Sequence, residues 1–228
     1  MPLDQTDQET ISAWHFADDR LRDGAPLPSD SEALNFSGNV AICRSGLHAS
    51  RRLVDALKYA PGNTLCRVEC DGVSAELDDK LVCSSRTIVW RLDAEEVFRE
   101  FARKVALDVA DYWDMPDNVR KFLETGKDNL RVAARGEAMD ASREYVALDD
   151  PRGAAAAEAS RAAAARTHPA RATALASAWA AVKATQDEET WARYDEMLEA
   201  MVEIARASAP ADEDEWSDFG DDFDRGDL

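Results

Sequence analysis

Three histidines serve all 228 residues, at positions 15, 48 and 168, and positive charge is also short, with 27 Lys and Arg against 46 Asp and Glu. The net charge of −19 repels a phosphate backbone, so a conventional DNA or RNA binder is excluded and cationic surfaces become the favoured counterpart. No apolar run reaches the ~18 residues of a membrane span. The opening MPLDQTDQETISAW has neither a basic start nor an apolar stretch, which argues against a secretory signal. The expectation is a soluble, cytoplasmic protein. Also missing are G-x-S-x-G, H-E-x-x-H, a P-loop and G-x-G-x-x-G, so no familiar catalytic or dinucleotide-binding motif is present.

Cysteine is confined to Cys43, Cys66, Cys70 and Cys83. In TLCRVEC strict alternation puts Cys66 and Cys70 on one face of a strand, too far apart for a routine disulfide. The spacing matches no C-x-x-C knuckle, so reduced core thiols and no metal site are expected. Cys43 lies five residues before His48, a separation with no special claim to Cys–His catalysis.

What is present divides into four stretches: a flexible start over 1–10, an α+β module over 11–93, a helical region over 94–206 and an acidic disordered tail over 207–228. In the module, SAWHFA, NVAICR, TLCRVEC and RTIVWRLD read as strands of a small mixed or antiparallel sheet, with turns at Asp23-Gly24, Pro61-Gly62 and Asp71-Gly72. SRRLVDALKYA spaces Leu53, Val54, Leu57 and Tyr59 as a helix does, and Ser50 is placed to cap it. From residue 94 the period becomes helical. Asp93 stands as an N-cap, Met115-Pro116-Asp117 opens a helix and Thr125-Gly126 breaks it. The stretch RGAAAAEASRAAAARTHPARATALASAWAAVKA is rich in alanine, which favours helix but buries little per residue, so these helices need close neighbours and self-association is open to them. The last helix carries Trp191, Tyr194, Met197, Leu198, Met201, Val202 and Ile204 on a packing stripe.

The tail sets Trp216, Phe219 and Phe223 among nine acidic side chains, a composition that cannot fold alone. It reads as a solubilising tail, or as a segment that docks on a basic protein partner.

His168 precedes Pro169 and falls at a helix end. His15 and His48 belong to the module. Alternation points Trp14 and Phe16 one way and His15 the other, where it lines a cleft or meets solvent. For His48 the plain structural account is that Gly46 permits a tight turn and the imidazole bonds a neighbouring carbonyl. Arg51, Arg52, Lys58 and Arg86 form a basic island that holds a phosphate or pairs with Asp55 and Glu69.

The order HF…LRDG at 15–24, GLHAS at 46–50, DALKYAPG at 55–62, VECDG at 68–72 and DDKLVCSSRTIV at 78–89 resembles an uncharacterised family of small proteins common in bacteriophages and bacteria, which implies host cytoplasm for a phage-encoded member. A weaker resemblance is to ADP-ribosyltransferase-like folds, carried by His15, Gly46 to Ser50, Ala56 to Tyr59, and an acid among Glu76, Asp78 and Asp79 ahead of SSRTIVWRL. It implies NAD or another nucleotide as ligand, and the first functional expectation is a small ligand or nucleotide bound in a cleft of the N-terminal module formed by the first strand and the GLHAS loop. The catalytic candidates are then His15, His48 and Asp79, and the ligand-binding candidates His15, His48, Ser50, Tyr59 and Arg86. The competing expectation is a non-enzymatic acidic protein that mimics nucleic acid or occupies a basic partner.

Overall fold

A computed structural model describes residues 9–17, 20–21, 25–166 and 168–209. The Asp23-Gly24 turn and the tail residues Trp216, Phe219 and Phe223 lie outside them. The fold is α+β, an antiparallel sheet followed by helices.

The strands are β1 (Ile11–Ala17), β2 (Ala33–Asn35), β3 (Leu47–Ala49), β4 (Thr64–Leu77) and β5 (Lys80–Asp93). β4 and β5 form a long hairpin, β1 adds to the free side of β4, and β2 and β3 both pair with β5. Ser50 continues β3 onto β1: its N–H donates to the Trp14 carbonyl at 2.9 Å and its carbonyl accepts from Trp14 at 2.7 Å. The sheet therefore curls back on itself. Its inner face is lined by small side chains, Ala13, Ala17, Ala49, Cys66, Cys70 and Cys83, together with Val68, Leu81 and Ile88. All four cysteines are free, and three are buried among these residues.

The other face of β1 presents Trp14 and Phe16 to the helices. These are α1 (Leu53–Ala56), extended by a 3-10 turn (Leu57–Tyr59), then α2 (Glu95–Asp108), α3 (Asp117–Thr125), α4 (Asp128–Ala147), α5 (Pro151–Ala163), α6 (Ala170–Thr185) and α7 (Thr190–Ser208). Asp93 Oδ1 accepts from the Glu95 N–H at 3.0 Å at the start of α2, and Gly126, at φ 65°, ends α3. One apolar core runs from Trp14, Phe16, Leu53, Leu57 and Leu65 through Phe98, Phe101 and Val105 to Tyr194, Leu198 and Val202. Sheet and helices share it.

Alanine-rich helices pack by close approach. A Cβ on Gly153 would lie 2.5 Å from Tyr145 Cδ1, so only glycine lets α5 meet α4 there. The buried Ser177 hydroxyl lies 2.9 Å from the Ala102 carbonyl and 3.0 Å from that of Ala159, joining α6 to α2 and α5. α7 returns to the sheet, where Glu199 Oε1 accepts from Trp14 Nε1 at 2.7 Å.

Three local expectations differ from the fold. NVAICR is not a strand: Ala41 pairs with Ser45 across a tight turn in which Cys43 takes φ 64°, and the strands lie on either side of it. Asp71-Gly72 does not reverse the chain. Gly72 takes φ 63° inside β4, and the hairpin turns later, at Asp78-Asp79. Ser50 does not cap α1, because its hydroxyl donates to the Asp79 carbonyl at 2.8 Å and Arg52 occupies the cap position without a capping bond from its side chain.

Candidate functional site

Gly46 stands immediately before β3, the strand that carries His48. It takes φ 106°, and a Cβ there would lie 2.8 Å from Val82 Cγ2 and 2.9 Å from Val40 Cγ1, so both conformation and space demand glycine. The turn before it brings the Cys43 N–H to 3.1 Å from His48 Nε2, which accepts it. Partial burial holds the His48 imidazole below the ordinary histidine range, although a bond to the Gly46 backbone opposes that shift.

His15 and Arg86 meet His48 from beneath. The Arg86 guanidinium donates to the His48 carbonyl at 2.7 Å, and the His15 ring hydrogen bonds to the same residue's backbone. Burial, reinforced by Arg86, holds His15 well below the ordinary histidine range, so its ring is neutral near pH 7. Arg86 is 6% exposed, and among the described residues no carboxylate pairs with it. Burial lowers its own pKa, while Cys70, Cys83 and Cys66 favour the charged form.

Ser50, Tyr59 and Asp79 gather at the β4–β5 turn. The Tyr59 hydroxyl donates to Asp79 Oδ2 at 2.6 Å, and Ser50 holds the Asp79 carbonyl. The tyrosine bond keeps the Asp79 carboxyl below the ordinary range, with Lys58 and Lys80 adding to the effect. Lys80 lies 4.6 Å from the centre of the Tyr59 ring, and its ammonium is favoured chiefly by a bond with Cys43.

Beyond Asp79 the surface opens into a cleft of ≈ 540 Å³. One wall belongs to the sheet module, with Arg52, Asp55 and Lys58 on and beside α1 and Leu77, Asp78 and Asp79 at the hairpin turn. The other wall is Trp179 and Val182 from α6 and Trp191 from α7. Asp55, 1% exposed, organises the floor by accepting from Arg52 Nε at 2.6 Å, Lys58 Nζ at 3.0 Å and Trp191 Nε1 at 3.1 Å. The indoles of Trp179 and Trp191 stack with centroids 4.8 Å apart at 38°, and Lys58 Nζ lies 5.8 Å from each centroid.

Three of the four residues of the basic island are therefore held in local ion pairs, Arg86 being the exception, and Glu76 stands where Glu69 was the expected partner. Arg52 and Lys58 bind Asp55, and Arg51 binds Glu76 at 2.5 Å. Of the sequence candidates, Asp79 lines the cleft and Tyr59 and Ser50 brace it, whereas His15, His48 and Arg86 are joined to one another on the curled side of the sheet. His168 lies between α5 and α6, far along the chain from both groups. Sequence reasoning missed Trp179 in an alanine-rich helix and placed Trp191 only on a packing stripe. The available signal was the pair of tryptophans itself, since a stretch so poor in large side chains has little structural use for an indole that stays 45% exposed.

Among the described residues no group of His, Cys, Asp and Glu could hold a metal ion, and no helix is long and apolar enough to cross a membrane. No curated protein and no solved structure matches the chain. Residues 16–100 match the family model of a domain of unknown function, DUF7666, which takes in the whole sheet-side wall of the cleft and stops before the two tryptophans of the other.

Proposed function

We propose that this protein binds a small ligand in the cleft where the DUF7666 domain meets α6 and α7. The observation that carries the reading is that three of the eight large apolar side chains left exposed among the described residues meet at this cleft. Tyr59, Leu77 and Trp179 are 49%, 49% and 45% exposed, and all three stand in the cleft or against the carboxylate that lines it. Large side chains left open around a concave, partly polar site mark binding surfaces, and the volume falls in the roughly 300–1,000 Å³ range of small-molecule sites. The reading stops at binding, because the two module histidines do not line this cleft.

Nucleotides, NAD among them, form the first arm of the test, since that class follows from the resemblance to ADP-ribosyltransferase-like folds. Thermal stability and tryptophan fluorescence are followed for the wild type and Trp179→Ala across a panel of nucleotides, amino acids and amines. A ligand that stabilises the wild type and loses its effect on Trp179→Ala supports the site. A flat response to the whole panel removes it. The second reading is that of an acidic interaction protein whose tail, with Trp216, Phe219 and Phe223, occupies a basic partner. Its support is the net charge of −19.

A further inference from the structure

We infer that the ligand of this cleft is a small organic cation, an amine or guanidine with an apolar body, and not a phosphate ester. The inference rests on the reading of the cleft as the ligand site and concerns only what that site selects.

The lining carries two cations, Arg52 and Lys58, against three carboxylates, Asp55, Asp78 and Asp79, a formal balance of −1. Both cations are already engaged. Arg52 gives Nε to Asp55 and Nη2 to the Asp78 carbonyl at 3.4 Å, and Lys58 gives Nζ to Asp55 and to Asp79 at 3.5 Å. An entering phosphate would meet a negative surface whose positive groups are neutralised, in a chain of net charge −19.

The groups left open are of the opposite kind. The Asp78 side chain is exposed, with no ion pair among the described residues, and Trp179 keeps nearly half its surface free. A carboxylate beside an indole face is the arrangement that attracts ammonium and guanidinium groups. The walls already hold one such group: the Lys58 ammonium sits between two carboxylates and at 5.8 Å from both indole centroids. A cleft of ≈ 540 Å³ has room for more than a charged head, and Leu77, Val182 and the Trp179 ring supply an apolar seat for the rest of the molecule.

The test uses probes that share a body and differ in charge, with AMP as the phosphate. Phenethylamine, phenylacetate, agmatine and AMP are titrated into the full-length chain while the indole N–H signals of Trp179 and Trp191 are followed by NMR, assigned with Trp179→Phe and Trp191→Phe. Phenethylamine is expected to shift these signals saturably and to bind at least about fivefold tighter than phenylacetate. Asp78→Asn, a change at an exposed side chain, should weaken phenethylamine about two- to fivefold and leave phenylacetate unchanged or improved. If phenylacetate or AMP binds as well as the amines, the site stands and the inference falls. If no probe of either charge moves the two signals, the ligand reading falls with it.

Discussion

Tyr59 donates its hydroxyl to Asp79 Oδ2 at 2.6 Å, and this bond ties the 3-10 turn after α1 to the tip of the β4–β5 hairpin. It fixes the rim of the cleft and keeps the Asp79 carboxyl acidic. A carboxylate whose pKa is depressed by folding contributes stability above its unfolded pKa and loses it as pH falls through the folded one. Tyr59→Phe should therefore raise the Asp79 pKa toward the ordinary value, read by NMR titration, and cost about 0.5 kcal/mol at neutral pH, both partners being partly exposed. An unchanged Asp79 titration would refute the role given to this bond.

The opposite sign holds at Asp195. It accepts the Val54 N–H at 2.8 Å where α7 meets α1, and burial, with Glu199 and Asp55 nearby, pushes its pKa up to about 6. The fold then prefers the protonated acid, so stability declines as pH rises from about 4 to 6 and the full cost applies above that, with a ceiling of about 3 kcal/mol. Asp195→Asn retains an acceptor for Val54. It should stabilise the protein by about 1–2 kcal/mol at pH 7.5 and give no gain at pH 4, measured by urea unfolding.

His15 supplies a third pH dependence. Its folded pKa lies below the unfolded value near 6.5, so protons favour the unfolded chain as pH drops past that point. The His15 contribution to stability should fall between pH 7 and pH 5, against the gain that Asp195 makes there, so His15→Gln should lose less or gain more stability than the wild type over that interval. Equal slopes for the two proteins would mean that the ring is not held neutral.

Gly46 offers a test of geometry. Gly46→Ala places a methyl within 3 Å of Val82 and Val40 at a positive φ, and a loss of about 2 kcal/mol or more is expected. Gly136, where an added Cβ would meet nothing within 4 Å, is the control, and Gly136→Ala should be neutral or stabilising by up to about 1 kcal/mol.

Much of this architecture was legible as pattern. The alternation of Trp14 and Phe16 against His15 separated the two faces of β1, and Gly126 ended α3 as the sequence led one to expect. NVAICR was misread because apolar alternation cannot register a residue that adopts φ 64°, as Cys43 does. Gly72 was misread for the converse reason, since a left-handed glycine kinks a strand as readily as it ends one. Ser50 was expected at a cap, and a backbone carbonyl 29 residues later took its hydroxyl instead. The cleft could not be read at all. It depends on Trp179, Trp191 and Asp55 meeting across 136 positions, which period and spacing do not encode.

The shared apolar core has a consequence for how such chains can be divided. The DUF7666 match ends at residue 100, inside α2, while the buried faces of Trp14, Phe16 and Leu65 are covered by side chains as distant as Leu198 and Val202. Residues 1–100 expressed alone, which keep all of β1, would present that face to water and aggregate or dimerise through it. In any chain that carries this domain without α2 to α7, a substitute roof has to come from another segment or another molecule, and the second wall of the cleft would change with it.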